Sequence, residues 1–411
     1  MSDSADLYFP PQFFPVENGQ LLIGGIPLRR LLQRVGQTPF YAYDRQAIGR
    51  GIRQLRQAMP AELKLHYAIK ANPMPAIVQH MATLVDGFDV ASAGEMKLAL
   101  DTTMPGAAIS FAGPGKRCGE LAQAIAAGVT INAESLHELE MIAAQCENSG
   151  LNAHVALRIN PDFELKTAGM KMGGGAKPFG IDEEKIPEAL TRLHSLGLMF
   201  QGFHIYSGSQ NLKAEAIIEA QQKSMQLAVR LAAYCQTPVR KLNIGGGFGV
   251  PYFAGDKPLE IHQIGEALTL GMANLGQQLP EAEVIIELGR YLVASAGVYV
   301  TRITDRKVSR GQVFLVTDGG LNHHLAASGN FGQVIRKNYP LAIGNRMSGE
   351  FVETVNVVGP LCTPLDILAD RISLPKAEPG DLVVVFQSGA YGYTASPHRF
   401  LSQPEALEVL V

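Results

Sequence analysis

The chain has 411 residues, of which 46% are hydrophobic and 18% charged, and its net charge is −3. A charged share below the usual ~25% excludes a charge-swollen disordered chain. The near-even balance of Lys plus Arg against Asp plus Glu gives no electrostatic footprint for nucleic acid. The four cysteines, Cys118, Cys146, Cys235 and Cys362, form no CxxC pair, so neither a disulfide framework nor a zinc site is signalled. The opening MSDSADLYFPPQ lacks the basic start and apolar run of a signal peptide. The most apolar stretch, 284–300, is short for a membrane span and carries Glu287 and Arg290. These features predict a cytoplasmic protein with no nucleic-acid or membrane partner.

From residue 63 onward, short apolar segments rich in β-branched and aromatic residues alternate with longer segments of helical period. The strand candidates are LKLHYAI (63–69), GFDVA (87–91), AAISFAG (107–113), VTINA (129–133), HVALRIN (154–160), FQGFHIYS (200–207), VRKLNI (239–244) and EVIIEL (283–288). Between them lie helical patterns such as ESLHELEMIAAQC (134–146) and 214–235. Parallel neighbours in a sheet need a crossover, usually a helix. A doubly wound open sheet would show the same alternation. Eight units in so short a span favour a closed (β/α)8 TIM-like barrel over 39–290. After about 290 the texture changes to strand-like runs separated by Gly, Pro and Asp turns: VYVTRITDRKVS, QVFLVTDGG, FVETVNVVGP and DLVVVFQSG. With the N-terminal segment, these predict a second, β-rich domain built from 1–38 plus 291–411.

A barrel places its chemistry at the C-terminal ends of its strands. Unusual residues collect there. Lys70 closes the first strand, Asp89 lies in the second, Arg158 in the apolar fifth and His204 near the end of the sixth. Gly245, Gly246 and Gly247 follow the seventh, and Glu287 and Arg290 end the eighth. Each has a plain reading and a chemical one. Lys70 is either a solvated strand-end lysine or a partly desolvated amine able to form a Schiff base. The three glycines are either a turn or a cradle of backbone N–H groups for an anion, with Arg290 as a second phosphate partner. Glu287 and Arg290 either pair with each other, or Glu287 faces a heterocycle nitrogen. His204 is a core histidine or stacks on a flat cofactor. A second run, Gly173–Gly175, looks like a mobile substrate-facing loop. Adjacent His323 and His324 would point to opposite faces of a strand, so no metal is expected there.

The ordered segments HYAIKANP, FDVASAGE, FHIYSGSQ, NIGGGFG, ELGR, GPLCTPLD and SGAYGY resemble the motifs of the pyridoxal-phosphate decarboxylases of alanine-racemase-like fold, which act on diaminopimelate, ornithine and arginine. The resemblance runs from about Pro39 to Pro397. It implies a (β/α)8 barrel followed by a β-domain, pyridoxal 5'-phosphate as cofactor, and a homodimer with shared active sites. Lys70 would hold the cofactor covalently. Asp89, Arg158, His204, Ser207, Gly245, Gly246, Gly247, Glu287, Arg290 and Tyr391 would surround it, with Glu287 on the pyridine nitrogen. Lys70, Cys362 and His204 would be catalytic, the cysteine entering the neighbouring subunit's site. Arg290, Tyr339, Thr363 and Tyr391 would face the substrate. The family's EPGR motif reads ELGR here, which alters loop stiffness and leaves Glu287 and Arg290 in place.

The departure that bears on substrate lies beside Cys362. Diamino-acid decarboxylases of this family usually follow the cysteine with an acidic residue that grips the substrate's distal ammonium. Here Thr363 follows, and a neutral hydroxyl cannot pair with an ammonium as a carboxylate does. Asp366 is a substitute at a different position. GPLCTPLD and KMGGGAKPFG look closer to a subgroup that decarboxylates carrier-tethered amino acids, and to homologues linked to exopolysaccharide systems. The expected activity is decarboxylation of an amino acid with a modified side chain or one tethered to an acyl carrier protein. The alternatives are a free diamino-acid decarboxylase and a catalytically silent regulator that binds a partner.

Overall fold

The computed structural model describes residues 14–164, 170–171, 173–333, 335–347 and 353–411. It divides into two compact units, one of Gly51–Val250 and Lys257–Tyr291, the other of Met1–Arg50, Pro251–Asp256 and Leu292–Val411.

The first unit is a closed parallel barrel. Its strands are β1 (Lys64–Ala68), β2 (Gly87–Val90), β3 (Ile109–Phe111), β4 (Thr130–Ala133), β5 (His154–Asn160), β6 (Met199–Ile205), β7 (Lys241–Gly246) and β8 (Glu283–Leu288). Each pairs in parallel with the next, and β8 returns to β1 with Glu287 opposite His66. All eight coincide with apolar segments legible in the sequence. A parallel strand covered on both faces needs a continuous apolar run, and β1 and β8 are buried except at their first residues. Tyr67, Phe88, Phe111 and Phe203 are fully buried, each contributing about 1.5–3 kcal/mol relative to exposure. The connecting helices begin at side-chain caps where the sequence supplies them. Ser92 accepts from the Glu95 N–H ahead of Ala93–Leu100, and Ser135 from the Glu138 N–H ahead of Leu136–Ser149. The latter helix ends on Gly150 in the left-handed conformation.

The second unit is β-rich. Gly297–Ser309 forms its longest strand and turns through Arg310 and Gly311, both at positive φ, into Gln312–Thr317. Glu353–Val358 and Leu382–Val385 join the same sheet, as do Leu341–Ile343 and Ile367–Leu374, which sequence patterning did not single out. Phe40–Tyr43 lies inside the stretch read as barrel, yet it pairs with Gly297–Val300 and with Leu407–Leu410 of this sheet. Its four consecutive buried residues suit either environment, and partners more than 250 residues away decide between them. His323 and His324 are both buried, bonded to the Pro404 carbonyl and the Ser388 hydroxyl respectively. Among the described residues no helix is long and apolar enough to cross a membrane, and no cluster of three or more His, Cys, Asp or Glu is placed to hold a metal.

Candidate active site

At the C-terminal ends of the barrel strands a cavity of about 260 Å3 opens, lined by Lys70, Asp89, Arg158, His204 and Glu287 among others. Lys70 sits in a single 3-10 turn, Ile69–Ala71, directly after β1. Its side chain is 43% exposed, and its Nζ lies 3.8 Å from Glu287 Oε1 and 5.6 Å from the centre of the Tyr206 ring. Glu287 is buried in β8 and its Oε2 lies 3.1 Å from His204 Nε2. Burial alone would raise the Glu287 carboxyl. The His204 contact and the fields of Lys70, His204 and Arg158 outweigh it and hold the group well below the usual carboxylate range. His204 Nδ1 is buried without a hydrogen-bond partner.

Asp89 is buried in β2. Its Oδ1 accepts from the Ser110 hydroxyl, which in turn accepts from Asn132 Nδ2 at 3.2 Å. Its Oδ2 lies 3.4 Å from His66 Nδ1. Arg158 donates to Glu134 at 2.8 Å and lies 5.3 Å from the Phe179 ring centre.

The turn after β7 is held from the neighbouring loop. Asn211 donates its N–H to the Gly247 carbonyl at 2.9 Å. Gln210, itself at positive φ, uses its side-chain amide to bond both the carbonyl and the N–H of Val250. Gly245 and Gly247 have positive φ, and a Cβ on Gly246 would fall 2.1 Å from the Glu287 carbonyl oxygen. The run therefore requires glycine at these positions. Ser207, at the end of β6, is buried, and Arg290 opens the four-residue helix Arg290–Val293 after β8.

A description of the family "Pyridoxal-dependent decarboxylase, pyridoxal binding domain" matches residues 45–294. The chain belongs to the pyridoxal-dependent decarboxylases. It is 39% identical to the L-glutamyl-[BtrI acyl-carrier protein] decarboxylase of Niallia circulans, over 91% of this chain and 89% of that one. It is 30% identical to a 2-[(L-alanin-3-ylcarbamoyl)methyl]-2-hydroxybutanedioate decarboxylase of Staphylococcus aureus, over 89% and 92%. Among solved structures it resembles the diaminopimelate decarboxylase of M. jannaschii in complex with L-lysine, with a TM-score of 0.88 and 26% identity over 97% of this chain and 92% of that one.

The remaining expected residues of this decarboxylase lie on the second unit. Cys362 is exposed. Thr363 is half-buried, its hydroxyl accepting from the Leu365 N–H at 3.3 Å. Tyr339 is buried among Tyr252, Phe253 and His324, and Tyr391 adopts a positive φ of 53°. Asp366, the acidic residue nearest Thr363 in the sequence, is tied to the backbone. Its carboxylate is buried, accepts from the N–H groups of Leu321 and Leu361 at 2.6 and 2.8 Å, and is walled by Gly320 and Gly359. The residues Gly173–Gly175 are tied to β5. Gly174 N–H and Gly175 carbonyl are both bonded to the Asn160 side chain, and a Cβ on Gly174 would strike Glu164 and Phe163. Close packing requires glycine at 174, whereas Gly175 adopts a positive φ of 63° with open space beside it. Residues 165–169 and 172 of the same loop lie outside the described residues.

Sequence patterning missed Glu134, Glu95, Tyr206 and His66. Glu134 directly follows β4 and Glu95 stands five residues after β2, positions on the side of the barrel mouth, and Glu134 was legible only as a helix start. Glu134 accepts from Gly113 N–H and Arg158 on one oxygen and from Gly180 N–H on the other. Burial would raise its carboxyl, but Arg158, Lys116 and these hydrogen bonds hold it below the usual value of 4.5. A carboxylate lowered in the folded state stabilises the fold above its ordinary value, and that contribution is lost as the pH falls through the lowered value. With both Glu134 and Glu287 lowered, the melting temperature should decline once the pH drops below the ordinary carboxylate value. Differential scanning calorimetry across pH checks this, and Glu287→Gln should show a shallower decline. An equal acid slope in the variant would remove Glu287 from the account.

Proposed function

We propose that the chain binds pyridoxal 5'-phosphate in the barrel cavity and decarboxylates an amino acid whose side chain is extended and uncharged, such as a glutamyl group tethered to an acyl carrier protein. The cavity residues suit the cofactor. An amine, a buried carboxylate held ionised, an unpartnered buried His204 nitrogen and a turn of three glycines are the groups that an aldehyde, a ring nitrogen and a phosphate call for. Lys70 would hold the cofactor covalently, Gly245–Gly247, Ser207 and Arg290 its phosphate, and Glu287 a proton at the ring nitrogen. Asp89, Arg158 and Tyr391 complete the proposed cofactor set. When bound, the cofactor supplies an electron sink for the electrons released as the Cα–carboxylate bond breaks. His204 keeps Glu287 oriented by its 3.1 Å contact. Lys70, 3.8 Å from the same carboxylate, helps keep it ionised.

The substrate reading is carried by one observation: Cys362 is followed by Thr363, and the nearby Asp366 is buried and bonded to backbone N–H groups. The 39% identity to a carrier-protein-dependent relative supports it. A free diamino acid is the second reading, favoured by the likeness to the lysine-bound diaminopimelate decarboxylase. Carbon dioxide release across free glutamate, diaminopimelate, ornithine and a carrier-bound glutamyl substrate tests the two. Release from the carrier-bound substrate supports the first, and release confined to diamino acids defeats it.

The protein is also proposed to act as a homodimer in which Cys362, Thr363, Tyr339 and Tyr391 serve the site together with a second copy. Lys70→Ala and Cys362→Ala chains, each inactive, should recover activity on mixing, because a mixed dimer gathers both lesions in one site and leaves the other whole. Demonstrated subunit exchange without recovery would sink the shared site.

A further inference from the structure

The loops after β3, β4 and β5 converge on a single carboxylate. Glu134 Oε1 accepts from the Gly113 N–H at 2.5 Å and from Arg158 Nη1 at 2.8 Å, and Oε2 accepts from the Gly180 N–H at 3.0 Å. Glu134 and Arg158 are both over nine-tenths buried. Behind them stands a second buried pair. Lys116 Nζ donates to Glu138 Oε1 at 2.7 Å and to the carbonyls of Gly113 and Asn132, while Glu138 Oε2 accepts the Glu134 N–H at 2.9 Å. Arg158 is the strand neighbour of His204 in register, and His204 contacts Glu287. Charges of alternating sign thus cross the mouth, from Lys116 through Glu134 and Arg158 to Glu287.

Burying so many charges is expensive unless each is paired. A barrel needing only stability would fill these positions with apolar residues, as it fills the layer beneath. We infer that Glu134 is a positioning residue for the decarboxylation. It fixes the Arg158 guanidinium against the cavity wall and balances its charge, so that Arg158 does not collapse onto Glu287 and draw that carboxylate away from the cofactor. Through Gly113 and Gly180 the same carboxylate sets the two loops that carry Pro114 and Phe179 into the cavity lining. This inference rests on the role proposed for Glu287.

Glu134→Gln keeps the shape, but sets an amide N–H against a donor and leaves Arg158 with no neutralising charge. Relative to the unaltered protein, kcat on the turned-over substrate should fall roughly ten- to a hundredfold, the scale of small misplacements in a site, with KM little changed. The visible absorption band of bound pyridoxal phosphate should shift, and apo-protein titrated with pyridoxal phosphate should bind it more weakly. Because Glu134 acts through Arg158, Glu134→Gln/Arg158→Met should be no slower than Arg158→Met alone. That double variant removes the unpaired buried charge, so the comparison stands even if Glu134→Gln alone does not fold. Wild-type kcat and absorption band in Glu134→Gln, with only a lowered melting temperature, would overturn the inference, as would additive losses in the double variant. An unaltered protein that takes up no pyridoxal phosphate would instead defeat the cofactor reading itself.

Discussion

Lys70→Ala should lower decarboxylation by at least about a thousandfold, the scale on which removal of covalent machinery is felt, and borohydride reduction should leave no cofactor attached to the chain. Two effects are mixed in that variant. It removes the nucleophilic amine, and it removes the positive group 3.8 Å from Glu287 that helps hold the carboxylate ionised. Lys70→Arg separates them. Arginine keeps a cation near Glu287 but is not deprotonated in proteins and cannot attack an aldehyde. If the covalent link is the essential contribution, both variants are equally inactive. If the charge is what matters, the arginine variant retains activity, and that result would remove Lys70 from the covalent role. Absorption spectra taken before and after borohydride, with peptide mapping of the retained label, decide between them. The Tyr206 ring, 5.6 Å from the Lys70 amine, offers a favourable face to the cation that the arginine variant keeps.

The barrel was legible because fully buried parallel strands must be continuously apolar, and each of the eight runs ends where chemistry-bearing residues begin. Lys70, Asp89, Arg158, His204 and Glu287 could be gathered from sequence because strand ends share one rim, and the cavity does bring these five together. Pairing partners were not legible. Glu134 reads as the start of a helix until Arg158, 24 residues on, and Gly180, 46 residues on, are placed beside it. Asp366 offered itself as a substrate ligand because its sequence position is close to Thr363. Only the fold reveals that it is buried, with Leu321, 45 residues earlier, donating its N–H to one of its oxygens. Phe40–Tyr43 failed for the same reason, since an apolar tetrapeptide carries no mark of which sheet will accept it. Composition and period report a residue's environment. Which two distant residues meet is settled by topology.

Thr363→Glu should raise turnover of diaminopimelate or ornithine, relative to a neutral extended substrate, by roughly ten- to more than a hundredfold. An ammonium meeting a carboxylate gains a charge-assisted hydrogen bond of about 1.5–3 kcal/mol, and every 1.4 kcal/mol or so is tenfold. At position 363 the unaltered chain offers a neutral hydroxyl, and that oxygen already accepts the Leu365 N–H. Asp366 is buried and holds the Leu321 and Leu361 N–H groups, and swinging it out toward a substrate would leave two buried donors unpaired at about 1–3 kcal/mol each. A glutamyl chain linked through its side-chain carbonyl carries no distal charge and asks for neutral partners only. The substitution is mild for the fold, because Thr363 is half-buried and its strongest local tie, the N–H to the Leu361 carbonyl at 2.8 Å, is made by the backbone. Thr363→Gln is the control, matching glutamate in size without its charge. A gain with glutamate and none with glutamine assigns the selectivity to the ion pair. Equal gains would assign it to side-chain length, and efficient turnover of free diaminopimelate by the unaltered enzyme, with none on extended substrates, would make a diamino acid the substrate class.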